Sequence, residues 1–483
     1  MRKTRIVLFT FLFLLELTSS VSAQGREVID YDWGPFAASW IDANGNQRHR
    51  YVGPVFERIE NPQGDTALAA RPLFHDWYQV EGDFNRREVL WPIWVNRSRG
   101  DSAYWRFLLN FGWNWDVNDP ASRYRLWILP FYFQGRDVNG EDYLAVFPIA
   151  GSIHEFFFWD KIDFALFPLY VRSQMQDIVA KTFIWPIFSK TTGPRLKRFR
   201  VFPFYGYSER EGLGRKSFYL WPFLTTVHYT LPRSAGRGWI LFPLLGHLKL
   251  TDQETWWFIP PIFRYSIGED QNRIYGPWPF FQKEEGEVDK FYIFPIYGRK
   301  QHAGYNKQFF LWPLGQYEST KKDTGEKKKF HFIPFVYYFY ENPSAPMEAE
   351  SDGEASYVKI WPIFQNSSKH EGQVTRFTFP DLNPMRGGPI ERNYAPYWHL
   401  FVHTKHYDAV DTEILWGLYR SAKRGEDYKY RSLFPLFNYT RDNGDDEKHF
   451  QLFKGLIGRH RVGEKKRWQF LYLFHFGDKD LAP

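Results

Sequence analysis

One short phrase recurs along the chain: a polar or basic lead-in, an aromatic, an aliphatic, an aromatic-Pro pair, an apolar residue, then a polar turn that often contains Gly. Residues 197–245 carry it three times, around Phe202-Pro203, Trp221-Pro222 and Phe242-Pro243. Pro35, Pro54, Pro72 and Pro92 stand 19, 18 and 20 residues apart. A unit without proline follows at Phe111-Gly112-Trp113, and the series then runs from Pro130 to Pro362 in forms such as VFPI, IWPI and LWPL. It loosens around His399 and Trp416, returns at Pro435 and fades near Gly455. A period of about 19 residues sustained in this way predicts a repeat architecture of roughly 24 units.

Side chains alternate across a strand. Phe199, Val201, Pro203 and Tyr205 would share one face, with Phe202, Phe204 and Gly206 on the other. Both faces are then apolar at the centre, which predicts one long strand per unit with an apolar middle such as Phe199–Tyr207. Hairpin signals separate the units: ANGN at 43–46, VNGE at 138–141, EGLGR at 211–215, TGEK at 324–327 and DNGD at 442–445. No helical periodicity appears beyond residue 23. The expected fold is all-β, a single antiparallel up-and-down meander of roughly 24 strands. It forms one β-repeat domain over 24–483, with loop insertions near 341–357 and 381–396.

Two architectures satisfy this pattern. The first closes the meander into a large outer-membrane barrel, which asks for about 9–11 residues per crossing strand and aromatic girdles. The second is a soluble bent or stacked β assembly, or a propeller. Proline opposes the barrel, because a proline in mid-strand removes a ladder bond. In lipid nothing else would satisfy the carbonyl left behind.

Composition narrows the compartment. Arg2, Lys3 and Arg5, then the apolar run Ile6–Leu15, then Val21-Ser22-Ala23, read as a signal peptide over 1–23. The exported chain has no cysteine, so neither disulfides nor a lipidated Cys enter. Aromatics reach 20%, beyond the needs of one ordinary core, and the net charge of +7 is spread through the turns. Localisation is therefore expected in the outer membrane, with the periplasm or cell surface as the alternative. Outer-membrane lipid is the expected partner and a glycan or envelope protein a further one. Export argues against nucleic acid.

Candidate chemistry is sparse. Walker A, GxSxG and HExxH motifs are missing, and no cofactor, metal or catalytic residue is assigned. His399, His403 and His406 cluster in sequence, but on a strand His399 and His403 stand about 13 Å apart, too far for one ion. Asp137–Asp142 and Asp442–Asp446 resemble fragments of calcium loops without the full set of oxygen ligands, and turn chemistry accounts for both. A glycosidase would need two converging carboxylates, and none of the 55 acidic residues singles out a pair.

The aromatic-Pro units separated by polar Gly turns resemble a group of uncharacterised repeat proteins of bacterial envelopes. Trp468, Phe470, Tyr472, Phe474 and Phe476 resemble the C-terminal aromatic strand of outer-membrane barrels, although residues 477–483 follow it. The resemblance implies compartment and fold, and no activity. The function expected is non-enzymatic: a pore, a transport conduit or a structural envelope element. The alternative is a soluble β-repeat protein that binds a glycan or a partner protein.

Overall fold

A computed structural model describes residues 28–323, 325–343, 354–384 and 387–478. The expected signal peptide and residues 344–353 of the first insertion lie outside them. The described strands form one antiparallel up-and-down sheet of 46 strands, from β1 (Ile29–Asp32) to β46 (Phe474–Gly477). Each strand pairs with its neighbours in the chain. The sheet is not closed into a barrel: β1 pairs with β2 (Ala37–Ile41), β46 pairs with β45 (Lys465–Phe470), and the two ends do not join.

The strand count corrects the sequence reading, because each unit supplies two short strands rather than one long one. β19 (Leu196–Val201) ends before Phe202-Pro203, β20 (Tyr205–Arg210) starts after it, and β21 (Gly214–Tyr219) follows the polar turn at 211–213. The stretch Phe199–Tyr207 is thus a hairpin, with Phe199 opposite Tyr207 and Val201 opposite Tyr205. Turns are normally polar, and this one is as apolar as the strands it joins.

The prolines lie in these turns. Phe223 N–H donates to Leu220 O at 2.8 Å, which makes Pro222 the third residue of a four-residue turn with a cis peptide, as in type VI. That position has no ladder bond to lose. Nor are the proline carbonyls stranded: Pro203 O accepts from Trp221 N–H of the next turn at 2.7 Å, and Pro168 O from Trp185 N–H at 2.8 Å. The ladder continues through the turns themselves.

Two further expectations change. The aromatic run at 468–476 is divided by a turn at 471–473, so Tyr472 lies in the turn and the five rings do not share one strand. The second insertion holds a short helix, α1 (Gly388–Asn393), followed by a 3-10 turn at Ala395–Tyr397. Pro389 sits in its first turn, where a missing N–H costs nothing. Asn393 and Ala395 are buried, as are Asp381 and Asn383 just upstream.

The accessible surface is 30444 Å², against about 19,000 Å² for a compact monomer of this mass. Much of the sheet is one layer thick, and its strands cover one another. A Cβ on Gly206 would lie 2.4 Å from the Phe218 ring, and one on Gly298 2.0 Å from the Phe309 ring. Register explains both, since Gly206 is opposite Phe218 and Gly298 opposite Phe309. A ring on one strand lies across the bare backbone of its neighbour, which removes apolar area from water without a second sheet. Gly298→Val is expected to cost about 1–3 kcal/mol by displacing that ring. Combined with Phe309→Ala it should cost clearly less than the sum of the two single changes in denaturant unfolding. Strict additivity would contradict the ring-over-glycine arrangement.

Candidate functional site

In an up-and-down meander, connections after odd-numbered strands fall on one edge and those after even-numbered strands on the other. The sequence uses the two edges differently. Leu166–Leu169, Leu220–Phe223 and Leu311–Leu314 are typical of the first edge, and the turns at 211–213, 269–270 and 443–446 of the second. Leu220 is 57% exposed, Trp221 53% and Phe223 57%. Phe157-Phe158 breaks the rule on the polar edge, and Phe158 is fully out in solvent. Arg71 and Lys454 break it on the apolar edge, where both turn inward to acidic or carbonyl partners on the sheet.

The apolar turns carry backbone strain. Leu90, Leu166, Ile184, Leu220, Ile259 and Leu311 adopt φ between 44° and 49°. Glycine occupies this region freely, whereas leucine and above all β-branched isoleucine are outliers there. The chain thus holds a large apolar side chain in solvent at positions where glycine would suit the backbone better. Strain retained at an exposed site points to function rather than to folding.

The second feature is a fold-back of the ribbon. Asp32 at the end of β1 meets Arg420 at 3.2 Å and Tyr430 Oη at 2.9 Å. Ala43 N–H donates to Asp411 Oδ2 at 2.6 Å, and Arg424 donates to Ile41 O at 2.6 Å. Arg50 pairs with Glu413. Further on, Arg71 donates to Arg392 O at 2.7 Å, and Glu88 accepts from Arg392 at 3.0 Å. As the first strands advance from Asp32 to Trp91, their partners retreat from Lys454 to Arg392. The first strands therefore lie face to face with the last in reverse order, and α1 wedges in beside them. Arg420 and Arg50 lie 4.0 Å and 5.0 Å from the Trp40 ring, contacts of the cation–π kind.

Between the two layers lies a cavity of about 730 Å³, lined by Trp40, Arg48, Glu57, Arg376, His399 and Trp416 among others, a size that suits a small organic molecule. Its electrostatics are those of buried pairs. Burial alone would raise the Glu57 carboxyl, but Arg71, Arg50 and Arg48 outweigh it and hold it well below the usual carboxylate range. Asp42 is lowered in the same way, against its burial, chiefly by Arg48. Burial and then the Asp381 charge raise Glu391. Burial lowers His399 to about 4, with Arg376 adding to it, and lowers His75 to about 4, with Arg71 adding to it.

The sequence brings few of these residues forward. His399 lines the cavity, whereas His403, on β38 (Phe401–His406), bonds Thr412 instead. Among the described residues the group close enough to share an ion is Asp137, Glu141 and His154. His154 joins the 137–142 turn only through strand pairing, so spacing gave no sign of it. Both its ring nitrogens are engaged, with Asp137 at 2.8 Å and Ser152 at 3.0 Å. Asp137 Oδ1 accepts from the N–H groups of Asn139 and Glu141, and Asp442 does the same for Gly444. These are the Asx turns that the sequence predicts.

The buried histidines make the fold-back sensitive to acid. Their folded values lie below the ordinary 6.5, so between about pH 6.5 and 4 the unfolded chain binds more protons and stability falls as pH falls. Each histidine is expected to contribute up to roughly 3 kcal/mol of that loss. Below about 4.5 the carboxylates held low, Glu57 and Asp42, extend it. Scanning calorimetry against pH checks this. His75→Gln with His399→Gln should flatten the slope between pH 6.5 and 4 and leave the more acidic limb. An unchanged slope in that variant would refute neutral burial of the two rings.

No protein-family model matches the chain, and no curated protein matches it.

Proposed function

We propose that this is an exported, non-enzymatic structural element of the cell envelope that seats the apolar edge of its sheet in the surface of a lipid bilayer. The observation that carries the reading is the segregation of apolar turns to one edge, with leucine and isoleucine held exposed in left-handed conformations. Strands of five or six residues reach about 17–20 Å, short of the roughly 30 Å of a hydrocarbon core. Insertion of turn tips, rather than a crossing by strands, fits that length. Among the described residues no helix is long and apolar enough to cross either. Trp and Tyr near the turns, such as Trp221, Tyr205 and Tyr219, suit the headgroup level. The second reading, a soluble envelope protein that binds a glycan or partner, is favoured by the cavity of the fold-back.

Flotation with vesicles of phosphatidylethanolamine and phosphatidylglycerol tests the first reading. The mature chain should float with the lipid, and should still do so in 0.5 M salt. Leu166→Gly, Leu220→Gly and Leu311→Gly together should weaken binding by roughly 100-fold, at about 1 kcal/mol for each partly inserted leucine. The same variant should be no less stable in thermal unfolding, because glycine relieves the left-handed backbone. Equal binding by parent and variant would refute edge insertion.

A further inference from the structure

The cavity is lined by an arginine, Arg376, that no carboxylate among the described residues pairs with directly. On the last-strand layer, β36 (Phe364–Lys369), β37 (Val374–Phe379) and β38 place Ser367, Arg376 and Thr404 directly opposite one another. Residues paired in this way project from the same face, and all three line the cavity. The next residue in that row, Asp411 on β39 (Ala409–Ile414), does not serve Arg376, because it is bonded to Arg424 and to Ala43 N–H. The other cavity carboxylates are engaged as well. Asp42 pairs with Arg48, Glu57 with Arg48, Arg50 and Arg71, and Glu413 with Arg50. Glu391 accepts from Gln365 and Asn383.

Arg376 forms no ion pair or hydrogen bond with any described residue, and the hydroxyls of Ser367 and Thr404 form none either. Arg48, across the cavity, is a like charge. Arg376 is open to the space of the cavity rather than packed in protein. Desolvation and then Arg48 lower its guanidinium from the ordinary value, and the charges of Glu391, Glu57 and Asp42 oppose that shift without pairing with it. A guanidinium between two hydroxyls, one on each neighbouring strand, is a row of donors matched to the oxygens of a carboxylate or a phosphate.

We propose that this cavity is a binding site for a small organic oxyanion, held by the Arg376 guanidinium with the hydroxyls of Ser367 and Thr404. The rest of the molecule lies in the cavity between the layers. Occupancy ties the first strands to the last, since the ligand touches the later layer and fills space that the earlier one walls off. The site does not depend on lipid binding. The three donors are on strands, away from the apolar turns.

Titration of the mature chain with inorganic phosphate, D-glucuronate and neutral D-glucose, read by calorimetry and by thermal unfolding, tests the proposal. Phosphate, glucuronate or both should bind and raise the unfolding temperature, and glucose should do neither. A response to phosphate alone identifies a phosphorylated ligand, and one to glucuronate alone a carboxylate ligand. Arg376→Gln should weaken binding tenfold or more, Arg376→Lys less, and Ser367→Ala with Thr404→Val several-fold. Without anion, Arg376→Gln should unfold at the same or a higher temperature than the parent, because it removes an unpaired cation. The proposal is overturned if neither anion binds, if Arg376→Gln binds as the parent does, or if that variant is less stable without anion. Vesicle binding should be unchanged in all these variants, which separates this site from the lipid-seating edge.

Discussion

A sheet one layer thick has no opposing layer to shelter its side chains, and every other property of this protein is arranged around that constraint. Hydrogen bonding answers part of it. The ladder is continuous from strand to strand, and on one edge it extends through the turns, where the carbonyl of a proline accepts from the N–H of the next turn's tryptophan. Packing answers the rest locally, through rings laid over the glycines of adjacent strands. The compact hydrophobic cluster around Trp127, Phe133, Ala145, Ile153 and Phe164 is built the same way, from consecutive strands.

Two regions depart from this local economy, and they are the ones with functional content. Along the apolar edge the chain exposes side chains that a self-sufficient sheet would have replaced with glycine. In the fold-back it builds a true second layer, but joins the layers with arginines, carboxylates and buried hydroxyls instead of aliphatic side chains. Lys359 and Asp381, fully buried and 2.7 Å apart, belong to this region too. Pairs of that kind are costly to break and contribute little net stability. They suit an interface that must have one register and must hold a polar cavity open.

How much of this the sequence disclosed depends on which signal carried it. The period and the antiparallel order follow from the spacing of Pro and Gly, and the polar turns at 43–46, 138–141 and 442–445 were legible because Asn-Gly has one common use. The hairpins at Phe202-Pro203 and Trp221-Pro222 were not, because their turn residues are aromatic and apolar and so continue the strand pattern unbroken. That one ambiguity doubled the strand length, halved the count and made the prolines look disruptive. The cavity was beyond local reading. Arg50 and Glu413 meet over a separation of 363 residues, and neither has a neighbour in sequence that marks it. Ser367, Arg376 and Thr404 become a set only once the register of three strands is known.

The charged character of the fold-back has a consequence for how the chain is made. Most adjacent strands are joined by loops of a few residues, so the ribbon can zip up as it emerges. The fold-back closes separations of 368, 383 and 398 residues, and the entropy of such closures is paid late. Until then the first strands must wait with the inner face uncovered. A face of leucine and valine would be an aggregation hazard during that interval. A face bearing Arg48, Arg50, Glu57 and Arg71 is hydrated while it waits and selects its partner by charge when the last strands arrive.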